Sequence, residues 1–181
     1  SFGKRFLIET FEWLETFCYA LTLMVLIFLF AFKLVSVDGE SMRETLQHMD
    51  SLVISELSNN YVTGDVIVVR SPSHTNPLVK RVIATEGQTV EIDFENWIIK
   101  VDGVVLDEPY ITGMREHRNM KGYEYYNGKF TVQEGKIYVM GDNRNNSTDS
   151  RDPTVGQLDQ RSILGKVVLR VFPLDKFGKI K

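Results

Sequence analysis

The longest apolar run in the chain lies close to its amino terminus. Thr16 to Phe32 includes no charged side chain, and Phe, Leu, Met, Ile and Val dominate its second half. Apolar residues on both flanks extend the run towards the roughly 20 residues that a membrane-spanning helix needs: Trp13, Leu14, Leu34 and Val35. A cleaved signal peptide would have small residues at a processing site after the run, whereas Lys33-Leu34-Val35 stands there. The pattern therefore predicts an uncleaved transmembrane anchor within residues 1–34.

Beyond the anchor, the apolar residues occur in short runs typical of β-strands. Leu52–Ile54 and Val66–Val69 are β-branched runs, and continuous apolar runs of this kind are expected to be buried on both faces. Alternating apolar positions from Gly87 to Leu106, with the turn pair Asp102-Gly103, predict a hairpin. Two further runs have strand character: Lys136–Met140 and Gly165–Phe172. Because no long helical periodicity follows the anchor, the rest of the chain is predicted to be mainly β.

Composition narrows the function classes. The 181 residues carry 21 Lys and Arg against 24 Asp and Glu, a formal net charge of −3, so nothing global indicates a nucleic-acid binder. The single cysteine, Cys18, lies inside the apolar run and can form neither an internal disulfide nor a metal cluster. We therefore expect no metal site and no cofactor. Three isolated histidines leave a His-based triad formally open: His48, His74 and His117.

Three polar stretches carry the candidate chemistry. Val35 to Leu46 places Ser41 after a turn pair, Asp38-Gly39. Leu78 to Ala84 places Lys80 between apolar neighbours in a strand pattern, and Met140 to Arg151 is rich in Asp, Asn and Ser. Taken singly, these stretches also fit a turn serine, a lysine that extends out of an edge strand, and a polar turn closed by Asp and Asn side chains.

Serine and lysine together can hydrolyse a peptide bond. The serine hydroxyl is a poor nucleophile at neutral pH and needs a base within hydrogen-bond reach. A lysine amine can serve as that base only when it is neutral, and burial against apolar groups lowers its pKa in that direction. The apolar neighbours of Lys80 favour this state.

In this order, and after an anchor, the three stretches resemble the bacterial type I signal peptidases of the Gram-positive type. The resemblance implies that Ser41 is the nucleophile and Lys80 the general base. It also implies a supporting set: Ser147 to orient Lys80, the ion pair of Asp149 and Arg151, and Asp142 with Arg81. The Ser41 backbone N–H would bind the oxyanion, because Gly39 stands where some members of the family have a donating serine.

The same resemblance implies a fold and a setting. The fold is a mainly β catalytic core with a small inserted lobe, preceded by one amino-terminal transmembrane helix. Residues 35–173 would form the extracytoplasmic catalytic domain, with the lobe and its connections at about 84–134 and a polar tail at 174–181. A shallow apolar groove would accept small side chains of the substrate, such as alanine. Six residues would line it: Val35, Val37, Met42, Leu46, Leu78 and Val79. The partners would be membrane lipid and the signal peptides of secreted preproteins, in a pilus-associated variant those of pilins.

The sequence also departs from the family pattern. Glu44 replaces a usual proline, and Ala84, Glu86 and Gln88 stand where glycine, proline and aspartate are usual. A carboxylate near the nucleophile would favour charged Lys80, and missing prolines loosen loops. A rival hypothesis is therefore a non-hydrolytic accessory that binds pilins or other surface precursors. A self-cleaving repressor is disfavoured, because an anchor stands where a DNA-binding helix pair would be.

Overall fold

The computed structural model describes residues 2–43, 45–57, 60–94, 96–111 and 128–180. A helix, α1, spans Phe2–Ala31. The strands are β1 Phe32–Ser36, β2 Ser51–Ser55, β3 Val66–Val69, β4 Leu78–Thr85, β5 Thr89–Asp93, β6 Ile98–Val101, β7 Val104–Val105, β8 Gly128–Thr131, β9 Lys136–Met140, β10 Leu158–Asp159 and β11 Ile163–Phe172. The mainly β class behind one apolar amino-terminal helix is thus confirmed.

Contacts divide the chain into two units, Ser1–Lys33 and Leu34–Lys181. Within the first unit α1 has 30 residues, about 45 Å at the rise of an α-helix. Among the described helices it is the one long and apolar enough to cross a membrane. The expected extension of the helix to Val35 is wrong, since α1 ends at Ala31 and β1 follows. The residues of β1 form the edge strand of a sheet, and this strand pairing overrides the helix that the apolar pattern predicted.

The second unit is built on a seven-stranded sheet with the order β1-β2-β11-β3-β4-β9-β10. All four residues of β3 are buried, as expected for a continuous apolar run. The long strand β11 pairs with β3 through its first half and with β2 through its second, with register shifts on both sides. Such shifts bend a strand, so that one strand serves two neighbours.

The position of β4 in this sheet determines where the polar stretches meet. Lys80 is opposite Ile67 and Arg81 is opposite Val66 in the pairing with β3. On the other side, β9 pairs with β4 from Arg81 onward, opposite Met140. Because successive strand residues face opposite sides, Lys80 and Arg81 point away from each other.

A smaller sheet has the order β7-β6-β5-β8 and packs on the larger one through an apolar core cluster that includes Ile83, Val90, Ile99 and Tyr138. The predicted turn at Asp102-Gly103 joins β6 to β7, and a second hairpin joins β5 to β6. From the sequence, three tyrosines of the predicted inserted lobe could pack that lobe or contact substrate, and they lie outside the described residues: Tyr123, Tyr125 and Tyr126. The segment after β11 returns to it, with Arg170 and Gly178 exchanging backbone hydrogen bonds of 2.9 and 3.1 Å.

Candidate active site

Ser41 lies in a turn after β1 and not at the strand end itself. The chain is held to residues 49–50 by two backbone hydrogen bonds of Val37, 2.8 Å to Asp50 and 2.9 Å from Met49. Met42, the residue after Ser41, is 1% exposed, and Leu46 is fully buried. Burial of these side chains anchors the turn, while the Ser41 side chain stays partly accessible.

Lys80 reaches Ser41 from the buried part of β4. Its Nζ atom donates to Ser41 Oγ at 2.6 Å and to the Val79 carbonyl at 3.1 Å. The residue is only 2% exposed. Burial lowers the pKa of the Lys80 amine to about 8, against the opposing effect of Asp149. A serine hydroxyl and an amine with a depressed pKa are therefore in direct contact.

The third polar stretch, Met140 to Arg151, lies beside the Ser41–Lys80 pair. Asp149 is fully buried and accepts hydrogen bonds from Ser147 Oγ (2.6 Å), the Gly141 N–H (2.9 Å), and Arg151 Nε and Nη2 (both 2.8 Å). Burial alone would raise the pKa of Asp149, but the Arg151 guanidinium and these donors hold it below its usual value. The carboxylate therefore stays ionised and fixes Ser147, whose oxygen remains able to accept from a neighbouring donor.

Arg81 and Asp142 join the nucleophile turn to β4 and to the third stretch. Arg81 binds Asp142 through two hydrogen bonds, Nε to Oδ1 at 2.9 Å and Nη2 to Oδ2 at 2.6 Å, and both side chains are at most 2% exposed. The Thr45 hydroxyl donates to the same carboxylate and accepts from Arg81 at 3.3 Å. The Asn143 N–H also donates to the Ser41 carbonyl at 3.0 Å.

Five of the six predicted groove residues pack together, and the sixth packs elsewhere. Val35, Val37, Met42, Leu46 and Val79 belong to one apolar cluster, whereas Leu78 packs in another. Val37, Met42 and Leu46 are at most 4% exposed, so their side chains belong to the core. Val35, Leu78 and Val79 are the members whose side chains retain appreciable accessible surface.

Two of the three histidines can be placed. His48 Nδ1 accepts from the Gly39 N–H at 3.3 Å and lies 3.5 Å from Asp38, whereas His74 contacts Ser73. These contacts place them in exposed loops and not beside the Ser41 hydroxyl. His117 lies outside the described residues.

Two of the departures from the family pattern have clear structural roles. Glu86 accepts a hydrogen bond of 2.6 Å from the Gly135 N–H. Gln88 accepts from the Thr85 N–H at 2.9 Å and donates to Asp102 at 2.9 Å. These side chains stiffen the turns in the absence of proline. Glu44, the departure nearest Ser41, lies outside the described residues.

Comparison with known proteins identifies the family. Residues 10–172 match the family described as "Signal peptidase, peptidase S26". The chain belongs to this signal peptidase family. The family expected from the three polar stretches is therefore confirmed, and with it the prediction that the protein is an enzyme, a serine protease of the signal peptidase I type.

Several relatives match over most of their length. "Probable signal peptidase I-1" of Synechocystis sp. is 34% identical over 172 residues, which are 89% of this chain and 82% of the relative. "Signal peptidase I P" of Bacillus subtilis subsp. natto is 30% identical over 98% of this chain and 97% of its own. "Signal peptidase IB" of Staphylococcus aureus is 31% identical over 93% of both chains. A crystal structure of a signal peptidase I from Enterococcus faecalis, 30% identical, aligns with a TM-score of 0.47 over 59% of this chain and 96% of that one.

Four residues that contact the charged groups of the site were missed by sequence reasoning. Thr45 binds Asp142, Arg144 donates to the Gly141 carbonyl, Glu108 forms an ion pair with Arg144, and the Tyr110 ring lies over the Arg81 guanidinium. Thr45 and Arg144 lie inside the singled-out stretches, so their position could have drawn attention to them. Glu108 and Tyr110 lie on the connection after β7, far from the other stretches along the chain. Only folding brings them to the site, so no local pattern marks them.

Proposed function

We propose that the protein is a membrane-anchored serine endopeptidase that removes signal peptides from exported preproteins through Ser41 and Lys80. The observation that carries the proposal is the 2.6 Å contact between Lys80 Nζ and Ser41 Oγ, together with the lowered pKa of the amine. With a pKa of about 8, roughly a tenth of the amine is neutral at pH 7, far more than for an ordinary lysine, and the lone pair of that neutral form can accept the serine proton.

The reaction would proceed in two steps. Neutral Lys80 takes the proton of Ser41 Oγ as that oxygen attacks the scissile carbonyl, and the Ser41 backbone N–H donates to the oxyanion. Protonated Lys80 then gives its proton to the leaving amine, which departs as the mature protein and leaves an ester on Ser41. In the second step Lys80 takes a proton from water as the water oxygen attacks the ester, and it returns that proton to Ser41 Oγ as the signal peptide leaves, so that both Ser41 and Lys80 are regenerated.

The surrounding charges would hold this pair in place. Asp149, fixed by Arg151, orients Ser147, whose oxygen can accept from Lys80 and aim the amine at Ser41. Asp142 and Arg81 tie the nucleophile turn to β4. Guanidinium groups suit this role because they remain charged and bind carboxylates through two parallel hydrogen bonds.

The substrate would bind as an extended strand beside the exposed side of β4. The Val82 N–H donates to the Asp65 backbone carbonyl, and the Val82 carbonyl accepts from the Gly64 N–H, both at 2.8 Å on the β3 side. Backbone alternation therefore directs the Val79 N–H and carbonyl to the opposite side, before the pairing with β9 begins at Arg81. Peptides commonly bind by adding a strand to such an edge. Beside it, the apolar surface of Val35 and Val79 would favour small side chains such as alanine.

The setting follows from the same family assignment. Residues 1–34 would form the anchor, with the amino terminus inside, and residues 35–173 the catalytic domain on the outer side of the membrane. The comparisons do not support the accessory role, because the relatives described above are all named as signal peptidases. Substrate profiling with preproteins, pilins included, would identify the precursors that this protein cleaves.

The test is cleavage of a preprotein by the full-length protein in detergent. Wild type should release the signal peptide after an alanine, as determined by amino-terminal sequencing of the product. Ser41→Ala should lower the rate by about 10⁴-fold or more, because the nucleophile and its base act as a unit. Ser36→Ala, which changes an exposed serine at the end of β1, is the matched control and should cleave normally. Equal cleavage by wild type and Ser41→Ala would overturn the proposal.

A further inference from the structure

Glu108 and Tyr110 lie on the connection that leaves β7, outside the three polar stretches. Both side chains nevertheless contact guanidinium groups of the active-site region. The Arg81 guanidinium carbon lies 3.8 Å from the centre of the Tyr110 ring. Glu108 forms an ion pair with Arg144, and its Oε1 atom accepts from the Tyr110 hydroxyl at 3.0 Å. We name this pair, Glu108 and Tyr110, the 108/110 hook.

The ion pair of the hook is buried, with the side chains of Arg144 and Glu108 only 4% and 3% exposed. Both guanidinium Nη atoms of Arg144 face the Glu108 carboxylate. Arg144 Nε donates in turn to the Gly141 carbonyl at 3.1 Å. Glu108 therefore fixes the Arg144 guanidinium, which in turn donates a hydrogen bond to the backbone of Gly141.

Gly141 is packed too tightly to move without disturbing the reacting groups. A Cβ atom at this position would collide with Ser147 Oγ and with the Ser41 carbonyl oxygen, and it would lie 2.6 Å from Ser147 Cβ. The backbone of Gly141 thus separates the nucleophile turn from Ser147. A shift of this backbone towards either side would displace Ser41 or Ser147.

Tyr110, the other residue of the 108/110 hook, acts on the same backbone segment. Tyr110 covers the face of Arg81, which binds Asp142, the residue after Gly141. The ring packs on the guanidinium of a buried ion pair, and the attraction between cation and aromatic face favours this placement. Both arms therefore converge on Gly141 and Asp142.

We propose that Glu108 and Tyr110 are positioning residues for the reaction, which hold Gly141 and Asp142 so that Ser41 stays aligned with Lys80. The inference rests on the proposed function. Neither residue is given a chemical step, and the effect is on the geometry of the reacting groups. Misplacement by about 1 Å from a change outside the chemistry can cost about 100-fold in rate.

The test measures kcat and KM separately in the full-length protein, normalised to the folded fraction. Glu108→Gln should lower kcat by about 10- to 100-fold with KM within about twofold, because the cleft surface is unchanged. Tyr110→Ala should act in the same direction, whereas Tyr110→Phe should restore most of kcat because it keeps the ring over Arg81. Glu91→Gln is the matched control, since the Glu91–Lys129 pair of 2.8 Å on the small sheet is partly exposed.

A double-variant cycle sharpens the assignment. Glu108→Gln leaves the Arg144 guanidinium buried without its carboxylate, so adding Arg144→Gln should cost less than the sum of the single effects. A purely structural role predicts a lower unfolding temperature with normal kcat per folded molecule, and that outcome would overturn the inference. If wild type cleaves and both Glu108→Gln and Tyr110→Ala match its kcat, the inference alone is wrong. An inert wild type would overturn the proposed function and the inference with it.

Discussion

Two Asp-x-Arg segments of this chain form the same local structure in opposite surroundings. In Asp149–Arg151, Nε and Nη2 of the arginine donate to the two carboxylate oxygens, both at 2.8 Å. In Asp159–Arg161 the same atoms make the same two bonds, at 3.0 and 2.7 Å. The arginine and aspartate side chains are 1% and 0% exposed in the first pair, and 91% and 30% in the second.

The difference lies in what else each carboxylate binds. The Asp159 carboxylate takes its further hydrogen bond from the Arg161 backbone N–H, so these hydrogen bonds stay within its own segment, and the Lys136 amine lies 3.9 Å away. Asp149 binds Ser147 and the Gly141 N–H, which lie against the nucleophile turn. The pKa of each carboxyl group is lowered, in Asp159 by the hydrogen bonds of Arg161 and in Asp149 against the effect of burial. The same Asp-x-Arg ion pair is therefore part of the candidate site only where the fold buries it.

The largest expected effect is a loss of cleavage activity when Lys80, beside the buried Asp149–Arg151 pair, is replaced. Lys80→Arg keeps a positive charge but cannot give up a proton, so cleavage should fall by about 10³-fold or more. Lys129→Arg, at an exposed lysine of the small sheet, is the matched control and should leave the rate unchanged. The readout is kcat/KM on a preprotein, and near-normal activity in Lys80→Arg would exclude the base role.

The pH profile of wild type provides a second readout for the same residue. Burial lowers the pKa of Lys80 to about 8, so the amine is increasingly protonated below that pH. We therefore expect kcat/KM to fall on the acid side with a midpoint near pH 8 and to level off above it. A profile that stays flat from pH 6 to 9 would contradict this assignment.

The next effect is on stability, and it separates the two Asp-x-Arg pairs directly. Asp149→Asn leaves the Arg151 guanidinium buried beside a neutral amide and should lower the free energy of unfolding by about 3–5 kcal/mol. Asp159→Asn makes the same change in an exposed pair, where water solvates the arginine, and should not measurably change the unfolding midpoint. Chemical denaturation of both variants is the measurement, and equal losses would show that burial does not distinguish the pairs.

The smallest effect concerns the stability cost of the buried amine. The pKa of Lys80 is lowered on folding from 10.5 to about 8, so the cost is present in full below pH 8 and disappears as the pH rises above 10.5. Lys80→Met should therefore raise the free energy of unfolding at pH 7 by at most about 3 kcal/mol. The gain should shrink towards pH 11, and a gain that does not depend on pH would assign it to packing instead.

Local chemistry made part of this protein predictable. The apolar run predicts α1, the β-branched runs predict β2, β3 and β9, and Asp102-Gly103 predicts a turn, because each depends on neighbouring residues. The helix end was predicted wrongly, since residues 32–36 pair with β2, a partner outside the apolar run on which the prediction rested. The split of the predicted groove between two apolar clusters follows from the alternation of Leu78 and Val79 on β4.

By itself, the sequence determined the element types, the apolar amino-terminal helix, the family and the residue types of the candidate site. Only the tertiary structure decided which of these residues meet. It placed Lys80 against Ser41, buried Asp149–Arg151 while leaving Asp159–Arg161 in water, and brought Glu108 and Tyr110 to the site. The physical reason is that burial and long-range contact depend on how strands distant in sequence pair. Those two properties in turn determine the pKa of an amine and the strength of an ion pair.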